Sequence, residues 1–214
     1  MYGNAPCAAR FSANFTFREI RLRWNISGDD EFPVFVPRFN VAPTQLLPVI
    51  VNDDRARGVK QMQWGLVPAW AKDLAIGNQM INARAETLTG RASFKELVNR
   101  RRCLIPASGF YEWRKEGKQK VPMWFYLKSK EPFAFADLWD RWRKTDGGNL
   151  ETFTIITTAP NDLVRPIHDR MPVILQRQDE EQWLDSSGTS FDRASSALKP
   201  YPAEEWPRTT FRWR

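Results

Sequence analysis

The sequence predicts a single α+β domain in which short antiparallel strands curl into a barrel-like sheet with a few flanking helices. Three observations predict it. The 15 prolines are scattered, among them Pro33, Pro37, Pro43, Pro48, Pro68, Pro106, Pro122, Pro132, Pro160, Pro166 and Pro172, and proline interrupts helix interiors, so long helices are few. Short β-rich runs lie between these breaks. At 214 residues with 42% hydrophobic content, the chain buries one sizeable core.

The strand runs are Leu47–Val51, Gln61–Leu66, Arg102–Ile105, Met123–Leu127, Phe133–Leu138, Phe153–Thr158 and Pro172–Leu175. Phe110–Arg114 and Pro122–Leu127, joined by Lys115-Glu116-Gly117-Lys118, read as a hairpin. Ser93–Arg101 reads as a helix, with Phe94, Leu97 and Val98 on one face and Ser93 as its cap. Asp179–Leu184 reads as a second short helix. Ser12–Arg23 mixes β-branched and aromatic residues with alternating charge and fits either state. Residues 1–214 are expected to form one domain, with the motif-bearing core at about 38–175 and the tail, Ser186–Arg214, packed only in part because it is rich in Ser, Pro and charge.

Composition excludes several functions. A membrane-spanning helix needs roughly 20 apolar residues; the longest uncharged apolar stretch is about Trp64–Ala71 and contains Pro68. Met1–Cys7 lacks the apolar centre of a secretory signal, and two cysteines make no disulfide framework, so a reducing cytoplasmic setting is expected. Cys7, Cys103 and His168 are too few for a four-ligand structural zinc site. No metal and no cofactor are expected.

The net charge is +7, which favours a polyanionic partner. Lys95–Lys130 carries ten Lys/Arg against Glu96, Glu112 and Glu116. Ten tryptophans accompany this charge. Basic side chains interleaved with aromatics suit single-stranded nucleic acid, where phosphates are neutralised and bases stack; a tryptophan-rich core under a solvated lysine face is the alternative.

Several constellations can carry chemistry. Cys7 is followed closely by Arg10, and a thiolate near a guanidinium is a better nucleophile. His168 lies in a loop fixed by Pro166 and Pro172, a place for an acid/base group or for a structural histidine. Glu112, between Tyr111 and Trp113, would lose hydration if it faced inward, and its pKa would rise towards the range useful for proton transfer; spacing alone favours an exposed glutamate paired with Arg114 or Lys115. Asn82, Arg84 and Glu86 at alternate positions would share one face of a strand, presenting an amide, a phosphate-matching guanidinium and a carboxylate. Trp64 and Trp70 bracket a Gly and a Pro, and an exposed one would stack on bases.

Five segments in order, Arg38–Pro43 (RFNVAP), Trp64–Trp70 (WGLVPAW), Ile81–Glu86 (INARAE), Ser108–Trp113 (SGFYEW) and Ile167–Pro172 (IHDRMP), resemble the SOS-response-associated peptidase (SRAP) family, whose members shield abasic sites in single-stranded DNA. The resemblance spans about Arg38 to Leu175. It implies an SRAP-like barrel with a cationic groove, and a mechanism in which the α-amine of an N-terminal cysteine attacks the ring-opened sugar aldehyde before the thiolate closes a thiazolidine. On this basis Cys7 would be the nucleophile and Glu112 the acid/base residue for ring opening and for self-removal of Met. His168 would move protons at the Schiff base, and Asn82 would hold the linkage. Arg10, Arg38, Asn40, Trp70 and Arg84 would bind DNA. The implied partner is single-stranded DNA carrying abasic sites, met by a nucleoid-associated monomer.

The start departs from the family's Met-Cys-Gly-Arg-Phe. Here Tyr2 follows Met1, and Cys7-Ala8-Ala9-Arg10-Phe11 imitates the motif with one extra residue and no glycine. Cleavage before Cys7, a natural start other than the written one, and loss of covalent chemistry with the groove retained stand side by side. A thiol peptidase with Cys7 as nucleophile, His168 as base and Glu112 as its partner is a third function.

Overall fold

The computed structural model describes residues 9–26, 35–53, 56–207 and 211–212. The ambiguous N-terminal stretch divides in two. β1 (Phe11–Ala13) is buried throughout, and α1 (Phe17–Trp24) follows. The break is a capping box. The Thr16 hydroxyl accepts from the Glu19 backbone N–H at 3.2 Å, and the Glu19 carboxylate accepts from the Thr16 N–H at 2.6 Å. The helix stops at Asn25, in the left-handed region at φ 49°.

The remaining elements are β2 (Arg38–Val41), β3 (Leu46–Asp53), β4 (Ala56–Trp64), β5 (Asn82–Arg84), α2 (Leu97–Arg100), β6 (Arg102–Ala107), β7 (Gly109–Glu116), β8 (Gln119–Phe125), β9 (Phe133–Arg143), β10 (Asn149–Thr158), β11 (Met171–Pro172), α3 (Arg177–Leu184), α4 (Phe191–Ala194) and β12 (Phe211–Arg212). Strands β10-β4-β3-β6-β9 hydrogen-bond in that order, and β9 pairs back onto β10, closing a barrel. β5 and β11 extend β10 beyond the ring. A second sheet, β12-β8-β7-β1-β2, covers it. The two sheets meet through Phe11, whose ring lies 5.3 Å from Trp64 and 5.5 Å from Phe135.

The structure corrects the sequence reading in four places. The barrel is not wholly antiparallel, since β10 runs parallel to β4 and to β5; closure brings β10 back beside strands whose direction earlier crossovers set. The helix expected over Ser93–Arg101 is regular only at α2, with Glu96 rather than Ser93 at its cap. Its first turn is formed by Lys95 N–H donating to Arg91 and Val98 N–H to Phe94. The Pro172–Leu175 run forms a ladder only at β11, although Val173 and Leu175 donate to Ile156 and Ala134. The Asn82–Glu86 segment leaves the strand after Arg84 and turns through a 3-10 helix at Ala85–Thr87, so Glu86 does not share the strand face.

Residues 186–207 pack through Phe191, Ala194, Ala197 and Trp206, all buried. The Trp206 ring sits 5.7 Å from Phe110, 6.0 Å from Phe133 and 5.8 Å from Tyr201. Burial of such a side chain stabilises by about 2–3 kcal/mol. Arg102, at the start of β6, is 1% exposed. Its guanidinium donates to the carbonyls of Trp183 (2.6 Å), Val98 (2.9 Å), Asp185 (2.7 Å) and Thr189 (2.8 Å), tying the ends of α2 and α3 to the barrel. No helix among the described residues is long and apolar enough to cross a membrane.

Candidate active site

Glu112 lies on β7, between β8 and β1 in the covering sheet. It is 1% exposed, so the reading of a surface glutamate paired with Arg114 does not hold. Arg114 pairs instead with Glu116. His168 faces Glu112 from the loop before β11, with Nε2 4.0 Å from the carboxylate Oε2. That spacing exceeds a hydrogen bond; sites without substrate commonly tighten when it binds.

The histidine loop is built by local bonding. The Asn161 side-chain oxygen accepts from the N–H groups of Leu163 (3.2 Å) and Val164 (3.0 Å), and its amide donates to the Tyr201 carbonyl at 2.8 Å. Ile167 and His168 then donate to the Val164 carbonyl. The backbone N–H of Arg170 donates to His168 Nδ1 at 3.1 Å. This bond requires a bare Nδ1, so the neutral ring carries its proton on Nε2, towards Glu112. Asp169 Oδ1 is also 3.1 Å from Nδ1. Nδ1 of the imidazole thus has both a backbone N–H and a carboxylate oxygen within reach.

Arg170 anchors this loop to β10 and to the 3-10 turn that follows β5. Its guanidinium forms a fork with Glu86 at 2.8 and 2.9 Å and donates to the Thr157 carbonyl at 2.6 Å. The Arg170 hydrogen bonds hold the Glu86 carboxyl below its ordinary range. Thr157 pairs in turn with Arg84, and Ile155 with Asn82. Asn82 and Arg84 thus stand on the strand next to the histidine loop, Arg84 exposed.

A cavity of about 420 Å³ is lined by Glu112, Trp113, Pro166, Ile167, His168 and Asp169, and by Arg114, Lys115 and Lys120. A second, of about 260 Å³, is lined by Arg10, Asn40, Tyr111, Trp113 and Pro122. Trp113 borders both. Arg10 Nη1 donates to Asn40 Oδ1 at 3.1 Å, and the Tyr111 hydroxyl donates to the Phe39 carbonyl at 2.8 Å. The Arg10 carbonyl accepts from Tyr111 N–H, so the chain enters beside Glu112. Cys7 lies outside the described residues.

The structure brings Glu112 to His168 and Arg10 to Asn40. Arg38 shares β2 with Asn40, but its guanidinium turns to Gln45 Oε1 at 3.4 Å. Trp64 is core, its indole N–H bonded to the Ile81 carbonyl. Trp70 is 60% exposed and borders neither cavity. Its turn is clamped to β9 by Ala69 N–H on Asp140 and by the Trp142 indole on the Ala71 carbonyl. Gly65 begins this motif at φ 118°, and a Cβ there would lie 2.7 Å from the Gly77 carbonyl, so the turn requires glycine. Cys103 is fully buried opposite Asp137; burial pushes its thiol well up and leaves it unsuited to nucleophilic work. Sequence reasoning missed Arg170 and Trp113, although both lie in motifs it singled out.

Closed barrel, covering sheet and buried carboxylate facing an imidazole define one class of protein. The family of SOS response associated peptidases (SRAP) matches residues 7–210. The chain belongs to this family. It is 45% identical over 197 residues to the abasic site processing protein YoqW of Bacillus subtilis, covering 92% of this chain and 88% of that one. It is 28% identical over 212 residues to the abasic site processing protein HMCES of Xenopus tropicalis, covering 85% of this chain and 63% of that one. Among solved structures, a protein from Bacteroides thetaiotaomicron superposes with a TM-score of 0.83 at 31% identity, over 93% of this chain and 90% of its own.

Proposed function

We propose that the protein recognises abasic sites in single-stranded DNA and traps them covalently through a terminal cysteine generated at Cys7. The observation that carries this reading is the Glu112–His168 pair, 4.0 Å apart and opening into a cavity edged by cationic side chains. Family membership and the names of the relatives support it.

The chemistry assigns each group a step. Cleavage of the Pro6–Cys7 bond frees the Cys7 amine. Glu112 donates a proton to the sugar ring oxygen while the anomeric hydroxyl gives up its own to water, and the hemiacetal opens to the aldehyde with no net proton change. The amine adds to the aldehyde carbon and water departs, leaving a Schiff base. His168 carries protons during that loss. The Cys7 sulfur then adds to the imine carbon, and the thiol proton ends on the nitrogen, closing a thiazolidine. Asn82 holds the linkage, and Arg84 takes a flanking phosphate with the forked geometry that suits it. Arg10, Arg38 and Asn40 line the strand's path, and Trp70 stacks on a base. The protein works as a nucleoid-associated cytoplasmic monomer.

The test is incubation with a single-stranded oligonucleotide carrying one abasic site, and with its intact counterpart. Denaturing electrophoresis and intact mass should show an adduct with the abasic strand only, equal to residues 7–214 plus the oligonucleotide less one water. Binding with no adduct would leave a passive single-strand binding module. Peptide cleavage in trans, abolished by Cys7→Ala, would make the protein a thiol peptidase.

A further inference from the structure

Beyond the groove residues already assigned, we infer that the β7–β8 hairpin is a second DNA-binding arm, gripping backbone phosphates of the single strand as it leaves the cavity. This inference rests on the proposed binding of single-stranded DNA.

Towards its tip the hairpin is exposed, with Arg114, Lys115, Lys118, Gln119 and Lys120 on the surface. Among the described residues, β1 pairs with β7 at Gly109 and Phe110, and β12 pairs with β8 at Met123 and Trp124. From Glu112 to Val121 the two strands pair with each other, closing at Gly117 with φ 62°. A two-stranded ribbon is marginal in water, and this one carries an added cost. Lys115 and Lys120 stand directly opposite each other in the ladder, where like charges repel. Among the described residues, no carboxylate pairs with Lys115, Lys118 or Lys120, whereas Arg114 has Glu116. All three lysines are exposed.

The uncompensated charge has a direction. Side chains alternate along a strand, so Tyr111, Trp113 and Lys115 share one face with Trp124, Pro122 and Lys120. Trp113 and Pro122 wall the smaller cavity, and Lys115 and Lys120 edge the larger one beside Glu112 and His168. The face therefore runs from Arg10 and Asn40, past an aromatic wall, to a lysine pair about 7 Å further along. Aromatic surface followed by paired cations matches the base-then-phosphate repeat of an extended single strand. The polyanion also explains why repulsion between Lys115 and Lys120 is tolerated. The basic window Lys95–Lys130 thereby acquires a function that the family motifs do not give it.

The test compares Lys115→Ala/Lys120→Ala with a remote control, Lys144→Ala/Lys199→Ala, in the full chain. Affinity for an intact and an abasic oligonucleotide of the same length is measured across a salt series. The arm variant should make the negative slope of log K against log salt shallower by about 1.4, two phosphates for a single strand, on both oligonucleotides. Its thermal stability should match or exceed wild type, because a like-charge pair is removed. The control should keep the wild-type slope. An unchanged slope for the arm variant, or an equal drop in the control, overturns the inference. Because the contact is to backbone, the intact oligonucleotide decides it even if abasic processing fails.

Discussion

The backbone N–H of Arg170 donates to Nδ1 of His168 across 3.1 Å, so the residue that ties the loop to β10 and to the turn after β5 also sets the imidazole's tautomer. The fork to Glu86 is the other half of this device. The Glu86 carboxyl is held below its ordinary value, first by the Arg170 hydrogen bonds. A carboxyl whose value falls on folding contributes stability above its unfolded value and loses it as pH drops through the folded one. Glu86→Gln should therefore lower stability at neutral pH and cost progressively less as pH is taken below 4.5. With a side chain 53% exposed, the loss at neutral pH should be at most about 1 kcal/mol. Urea unfolding across the pH range reads it, and a loss that grows on acidification would remove the ion pair from this role.

Arg84 is exposed on β5, next to the strand that holds the histidine loop. Arg84→Ala should weaken oligonucleotide binding and make its salt dependence shallower by about 0.7, the value of one phosphate on a single strand. Fluorescence anisotropy over a salt series measures it. A slope equal to wild type would place the guanidinium off the DNA path.

Arg102 serves the scaffold. Its buried guanidinium satisfies four carbonyls, from α2, from the end of α3 and from the segment that follows it. Arg102→Ala leaves those acceptors buried and unpaired, at about 1–3 kcal/mol each before relaxation, so a loss of about 3 kcal/mol or more is expected. Denaturant unfolding with an unchanged m-value checks it. A loss below 1 kcal/mol would mean that water replaces the guanidinium.

Much of this was legible in the residues. Five ordered motifs pointed to the fold, and Glu112, His168, Asn82 and Arg84 were singled out from chemistry and resemblance. Three things were not legible, each for a physical reason. The parallel β4–β10 ladder depends on how the chain closes on itself, which strand propensity does not encode. Glu112's burial depends on a distant loop, since His168 faces it from 56 positions along the chain, while its strand partner Met123 comes from the adjoining β8. Arg102 looks like any basic residue at a strand start; its carbonyl partners come from residues some 80 positions away. The α1 cap, by contrast, was readable: Thr16 and Glu19 have the spacing of a capping box.

The most direct measurement is the single-turnover rate of adduct formation with a saturating abasic oligonucleotide, wild type against Glu112→Gln. A positioned acid contributes about a hundredfold or more. The variant should therefore bind the strand with wild-type affinity and form the adduct at least about a hundredfold more slowly. Equal rates for the two proteins would contradict the assignment of Glu112 and, with it, the site built around its pairing with His168.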